Sequence, residues 1–147
     1  MNTDPFQVLE AEHADALGAL GRLEGAVAGL RADPGSQRER GTVREVLDLL
    51  MTSVRDHNQK EEDALFPLLS DIAPTAFFEA EHRTLWRLER ELDHLLDSGP
   101  GDRIADLALE IVRLLRHHIS RENEVLFPMA RVALGPEGVE ILRRRLS

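Results

Sequence analysis

A chain of 147 residues, 42% hydrophobic and 31% charged, is long enough for one domain with a sizeable core and short for two. Eighteen Lys and Arg against 27 Asp and Glu give a net charge of −9, which argues against non-specific binding to nucleic acid or to anionic membranes. There is no cysteine, so disulfides, thiolate chemistry, iron–sulfur clusters and zinc fingers are excluded.

The opening stretch MNTDPFQVLEAEH has no apolar run of signal-peptide length, and no later run approaches the ~18–20 apolar residues of a membrane span. A soluble, cytoplasmic protein is expected. Asp4-Pro5 reads as a helix start, a capping side chain followed by proline at the first helical position. Phe6, Leu9, Leu17, Leu20, Val27 and Leu30 follow at helical spacing, with His13 inside the stripe, until Ala32-Asp33-Pro34-Gly35-Ser36 breaks it. A second helix is readable by Thr42, with Val43, Val46, Leu47, Leu50 and Val54 on its seam. The same spacing then lands on His57, Glu61 and Leu65. Pro67 and Pro128 are each expected to kink or end a helix.

Ser70 to Pro74 marks the next break, and a third helix carries Phe78, His82, Leu85, Leu92 and Leu96 along one side. Ser98-Gly99-Pro100-Gly101 is a turn, after which Asp102 can cap a fourth helix with Ile104, Leu107, Ile111, Leu114, His118, Glu122, Val125 and Met129 on its seam. Leu134-Gly135-Pro136 closes that helix. A short fifth one, about 136–146, carries Arg143, Arg144 and Arg145 on a solvated face. No stretch alternates like a strand. The expectation is an all-α fold: one domain over 1–147, an up-down-up-down four-helix bundle over about 5–134, and a short C-terminal helix.

One phrase occurs twice. Residues 57–67 read HNQKEEDALFP and residues 118–128 read HISRENEVLFP, so an HxxxE pair and a Leu-Phe-Pro tail recur at matching offsets. A Glu-His dipeptide precedes each phrase, Glu12-His13 and Glu81-His82. This duplication predicts a pseudo-two-fold relation between the two halves. Residues four apart on a helix point the same way, so His57 with Glu61, and His118 with Glu122, can each present a nitrogen and an oxygen to one spot. Four imidazoles and two carboxylates on inward seams are costly without partners, and a bound cation offsets that cost. The competing reading is a buried His–Glu network that fixes helix register. Imidazole with carboxylate suits iron, manganese or zinc. Two symmetric ligand sets point to two ions, although one ion held by all six residues is the alternative.

In these motifs the chain resembles the hemerythrin-like, HHE cation-binding domains over about residues 5–134. That resemblance implies a four-helix bundle around a non-haem di-iron centre with an oxo or hydroxo bridge. It assigns His13 and His57 to one iron, His82 and His118 to the other, and bridging roles to Glu61 and Glu122. The oxygen-carrying hemerythrins have a further histidine one turn after the third-helix one, where this chain has Trp86, and a longer-spaced aspartate where it has Glu122. Both irons would then keep an open position, which favours redox chemistry over reversible oxygen carriage.

Around the ligands, Trp86 is expected to pack in the core, with a pocket wall as its alternative role. Phe66 and Phe127 are core residues able to keep the pocket dry. His94 and His117 are expected at the surface, and so are Glu62, Asp63 and Glu124, one of which could accept a hydrogen bond from a ligand histidine. The resulting expectation is a di-iron protein acting on peroxide, dioxygen or nitric oxide, with detoxification the leading role and no catalytic acid identified. The alternatives are a sensor that binds oxygen, nitric oxide or iron without turnover, and a storage or structural zinc site. Expected partners are small ligands, with neither nucleic acid nor membrane. The electron donor and oligomeric state are not legible.

Overall fold

The computed structural model describes residues 3–147; Met1 and Asn2, which open the stretch read as lacking a leader, lie outside the described residues. Helix α1 is Pro5–Ala32, α2 runs over 37–69, α3 is Thr75–Ser98, α4 runs over 101–134 and α5 over 136–146. No strand occurs among the described residues, and none of their helices is long and apolar enough to cross a membrane.

The helix ends follow their local chemistry. Asp4 Oδ1 accepts from the Phe6 backbone N–H at 2.9 Å, with Pro5 behind it, as the dipeptide predicted. Helix α2 starts at Gln37, where Ser36 Oγ accepts from the Glu39 N–H at 3.3 Å. Its first turn, Gln-Arg-Glu-Arg, is polar, so the apolar stripe becomes readable only near Thr42. Asp102 is not the cap expected of it: the chain is already helical at Gly101, and Asp102 lies in the first turn near the helix's positive end. Gly101 suits that start because a Cβ there would lie 2.1 Å from the Pro34 carbonyl oxygen in the α1–α2 loop. At the far end, Gly135 takes φ 64°, breaking helical geometry between α4 and α5.

Two apolar clusters fill the interior. The larger holds the Ala16–Leu30 side of α1, Val43–Val54 of α2, Leu85–Leu92 of α3 and Ile104–Ile119 of α4. The smaller holds Phe6 and Leu9, Ala64 to Phe66 with Leu69, Phe78, Leu126, Phe127 and Ala130, and Leu142 from α5. On every one of the four long helices a buried histidine or His–Glu pair falls where the chain passes from one cluster to the other.

Three single turns widen to π geometry: Leu50–Val54, Glu61–Leu65 and Glu122–Leu126. They bear on two expectations, that each proline kinks or ends its helix and that Val125 and Met129 lie on the fourth seam. Neither proline terminates its helix at once, because the carbonyls four residues earlier, those of Asp63 and Glu124, lie inside the widened turns and are not in the α-helical position that the ring would strike. The fourth-helix seam also shifts. Val125 and Met129 are exposed while Leu126 and Ala130 are buried, since a wider turn rotates the residue three after Glu122 off its face and leaves the residue four after it there. Leu17, placed on the first stripe, is likewise exposed.

Trp86 is not a core residue. It is 45% exposed, with the Arg90 and Arg55 guanidinium groups over its ring at 4.8 and 5.6 Å. The inward positions of α3 run His82, Leu85, Glu89, Leu92, which leaves residue 86 on the edge.

Glu89 itself is buried, with Arg55 Nη2 3.0 Å away. Burial raises its pKa above 4.5, against the pull of Arg55. A carboxyl raised on folding opposes folding once it ionises, so this unfavourable contribution is absent at low pH and grows as pH rises above 4.5. Glu89→Gln is therefore expected to change stability more favourably at pH 7 than at pH 4, because the amide carries no charge to bury. Urea denaturation at pH 7 and pH 4 checks this, and a change equal at both pH values would rule out the buried charge as its cause.

Candidate metal centre

His13 comes from α1, His57 and Glu61 from α2, His82 from α3, and His118 and Glu122 from α4; all six are buried, with both glutamates at 0% exposure. The structure brings all six expected residues into one cluster. It forms two overlapping groups, His13, His57, Glu61 and Glu122, then His82, His118, Glu61 and Glu122. Within each group, one ligand atom per residue lies within 4.8 Å of the others. His57 Nε2 is 3.3 Å and His82 Nε2 3.2 Å from Glu61, on its Oε2 and Oε1 respectively. His13 Nε2 is 3.0 Å and His118 Nε2 3.4 Å from Glu122 Oε1. Each glutamate opens one of the π turns, an arrangement common where a helix bends its ladder to aim a functional side chain.

Behind each imidazole sits an acceptor for the other ring nitrogen. His57 Nδ1 meets Glu12 Oε1 at 2.8 Å and His118 Nδ1 meets Glu81 Oε1 at 2.9 Å. His82 Nδ1 meets Glu62 Oε2 at 3.2 Å and His13 Nδ1 meets Asn123 Oδ1 at 2.6 Å. A proton held on Nδ1 leaves the Nε2 lone pair facing the centre, as metal ligation requires. Lys60 pairs with Glu12 at 3.0 Å, and Arg121 pairs with Glu81. These partners repeat the duplication: the Glu of each Glu-His dipeptide serves a histidine on another helix, and Lys60 and Arg121 each directly precede a central glutamate.

Sequence reasoning anticipated an acceptor among Glu62, Asp63 and Glu124; Glu62 fills that place and the other two are exposed. It missed Glu12, Glu81 and Asn123, although the repeated Glu-His dipeptide was the available signal. His94 and His117 are exposed, as expected. Phe127 stacks on His13 (centroids 5.4 Å, planes 5° apart) and Phe66 on His82 (5.9 Å, 16°). Both phenylalanines are buried and form an apolar lid on one side of the cluster.

The cluster is electrostatically incomplete by itself. All four carboxylate oxygens of Glu61 and Glu122, with the Nε2 atoms of His13 and His57, are buried without a hydrogen bond of acceptable geometry. Burial and the charge of Glu122 push the Glu61 carboxyl well above its usual range. Burial would raise Glu122 too, but His118 and His13 hold it below the usual carboxylate range. His118 is raised to about 9: burial opposes this, and the carboxylates of Glu122, Glu61 and Glu81 outweigh it. Two buried carboxylates this close repel each other, and added positive charge between them would relieve that repulsion. A nitrogen–oxygen donor set with four orphaned carboxylate oxygens fits a divalent or trivalent cation.

A model described as the hemerythrin HHE cation binding domain matches residues 3–130. The chain belongs to the hemerythrin HHE cation-binding domain family. Comparison with curated proteins and with solved structures returned no match. The matched span takes in every residue of the cluster, so the family's cation-binding character and the orphaned oxygens of this HHE domain point to the same place.

A cavity of about 270 Å³ reaches this centre, lined by His13, His57 and His118 together with Ala16, Ser53 and Val54. A second recess, of about 220 Å³, is lined by His82, Glu62, Asn58, Arg55, Glu89 and Trp86. Trp86 thus has the wall position that was the alternative to core packing, in a groove that His82 also lines.

Proposed function

We propose that the chain is a single hemerythrin-like domain that holds two metal ions, iron by preference, and reacts with small oxidants, in particular to remove peroxide or nitric oxide. His13 and His57 would hold one ion, His82 and His118 the other, and Glu61 and Glu122 would bridge them. The observation that carries this reading is the set of four buried carboxylate oxygens left without hydrogen bonds between two pairs of inward-facing Nε2 atoms. Their division into two groups sharing both glutamates favours a pair of ions over a single one. The alternating order in which α1 to α4 meet the smaller and larger apolar clusters supports an up-down-up-down bundle with a pseudo-two-fold axis through the site.

Bound iron would supply redox electrons and open coordination positions. The chain supplies the rest. Glu12, Glu62, Glu81 and Asn123 hold the Nδ1 protons and so orient the rings. Phe66 and Phe127 keep bulk water off one side. The 270 Å³ cavity is far larger than the ~10–15 Å³ that a single water needs, so peroxide or a diatomic molecule can reach the His13–His57 pair. Glu12 and Asp15 line the same cavity and can pass protons between the site and water.

The test is metal analysis and visible spectroscopy of protein produced with ample iron, before and after peroxide is added under air. Two irons per chain, a bridge-to-iron charge-transfer band and gas evolution are the expected results. A spectrum that shifts without turnover would replace the enzyme with a sensor, and zinc or no metal would leave a structural site.

A further inference from the structure

The four outer acceptors are not equivalent. His82 and His118 both face carboxylates, Glu62 and Glu81. His57 faces the carboxylate of Glu12, but His13 faces the neutral amide of Asn123. The residue after each central glutamate plays the same part in both halves, and there the duplication is broken: Glu61 is followed by Glu62, Glu122 by Asn123. The cationic partners do not cancel the difference, because Lys60 on Glu12 is matched by Arg121 on Glu81. Arg83 acts on Glu62 through its charge but forms no ion pair with it among the described residues.

A carboxylate that accepts the Nδ1 proton makes the imidazole a stronger Nε2 donor than an amide does, and outer partners of this kind change metal affinity by ~10–100-fold. Hydrogen-bond length runs the other way, 2.6 Å for Asn123 against 3.2 Å for Glu62. Charge decides, since a charge-assisted bond is about twice as strong as a neutral one.

Resting on the two-ion reading above, we infer that Asn123 and Glu62 make the two metal positions unequal, so that the His82–His118 position fills first and the His13–His57 position, on the larger cavity, binds more weakly. Asn123 and Glu62 are positioning residues that act through His13 and His82. Both histidines of the weaker position line the 270 Å³ cavity, whereas only His118 of the tighter one does.

The experiment is a zinc titration of chelator-treated protein, with the histidine ring nitrogens followed by NMR and the stepwise affinities by competition with a chromogenic chelator. At one equivalent of zinc, His82 and His118 are expected to shift before His13 and His57, with about a 10-fold gap between steps. Asn123→Asp should tighten the weaker step and close the gap, and Glu62→Gln should loosen the tighter step and close it from the other side. The double variant should reverse the filling order. Both side chains are partly exposed, and circular dichroism checks that the variants keep their helices. Equal filling in the parent protein, or a filling order that the double variant leaves unchanged, overturns the inference while leaving two ions bound. Binding of one ion or none overturns the two-ion reading as well.

Discussion

Glu61→Ala, in protein made with ample iron, is expected to hold less than one equivalent of metal and to lose the rise in melting temperature that metal brings to the parent. Glu61 lies within 3.3 Å of both His57 and His82 and within 4.0 Å of His13, so its removal strips a donor from both groups at once. The loss should exceed the ~10–100-fold typical of an outer partner. After chelation the sign is expected to reverse. A fully buried carboxyl whose oxygens make no hydrogen bond is unfavourable by about 1–3 kcal/mol, so the alanine variant should then be at least as stable as the parent. Glu122→Ala should differ in that second respect. His118 and His13 hold Glu122 in its charged form, and removing it takes from His118, raised to about 9, one of its carboxylate partners. Metal analysis with thermal melts, each with and without chelator, separates the two variants. Unchanged metal content in both would eliminate the bridging role.

Phe127→Ala is expected to destabilise the protein by about 3–5 kcal/mol, the usual range for deleting a buried phenylalanine ring. Phe127 is 1% exposed, lies 5.5 Å from the Phe6 ring and stacks on His13, so its loss opens a cavity between α1 and α4 beside a ligand. Metal binding should suffer unevenly: His13 loses the surface that fixes its ring plane, and the His13–His57 position weakens before the other. Phe66→Ala is the mirror experiment on His82. Chemical denaturation with stepwise zinc binding checks both, and equal weakening of the two positions in both variants would show that the stacks carry stability alone. Phe127→Leu should recover much of the stability by refilling volume, but not the aromatic stack.

Much of this architecture was legible from spacing. The Asp4-Pro5 start, the four apolar stripes and the placement of His13, His57, Glu61, His82, His118 and Glu122 on inward faces all follow from the helical period and from a phrase repeated with fixed offsets. These are local relations, decided within a few turns of one helix. The duplicated His–Glu pairs also mark the centre without any knowledge of how the helices pack.

Other features depended on contacts between helices. Asn123 is 110 residues from His13, and Glu12 is 45 from His57; which acceptor serves which ring is set by the neighbour that a helix meets, to which period is blind. Trp86 reads as apolar, yet Leu85 and Glu89 take the inward positions and leave it under two arginines at the surface. The widened turn at Glu122 moves the fourth seam from Val125 and Met129 to Leu126 and Ala130, a shift that an assumed constant helical pitch cannot reveal. Sequence alone thus determined which residues could meet at the centre, because that depends on short-range geometry. Tertiary structure decided the outer hydrogen bonds and the approach to the site, because long-range packing determines which side chains remain unpaired.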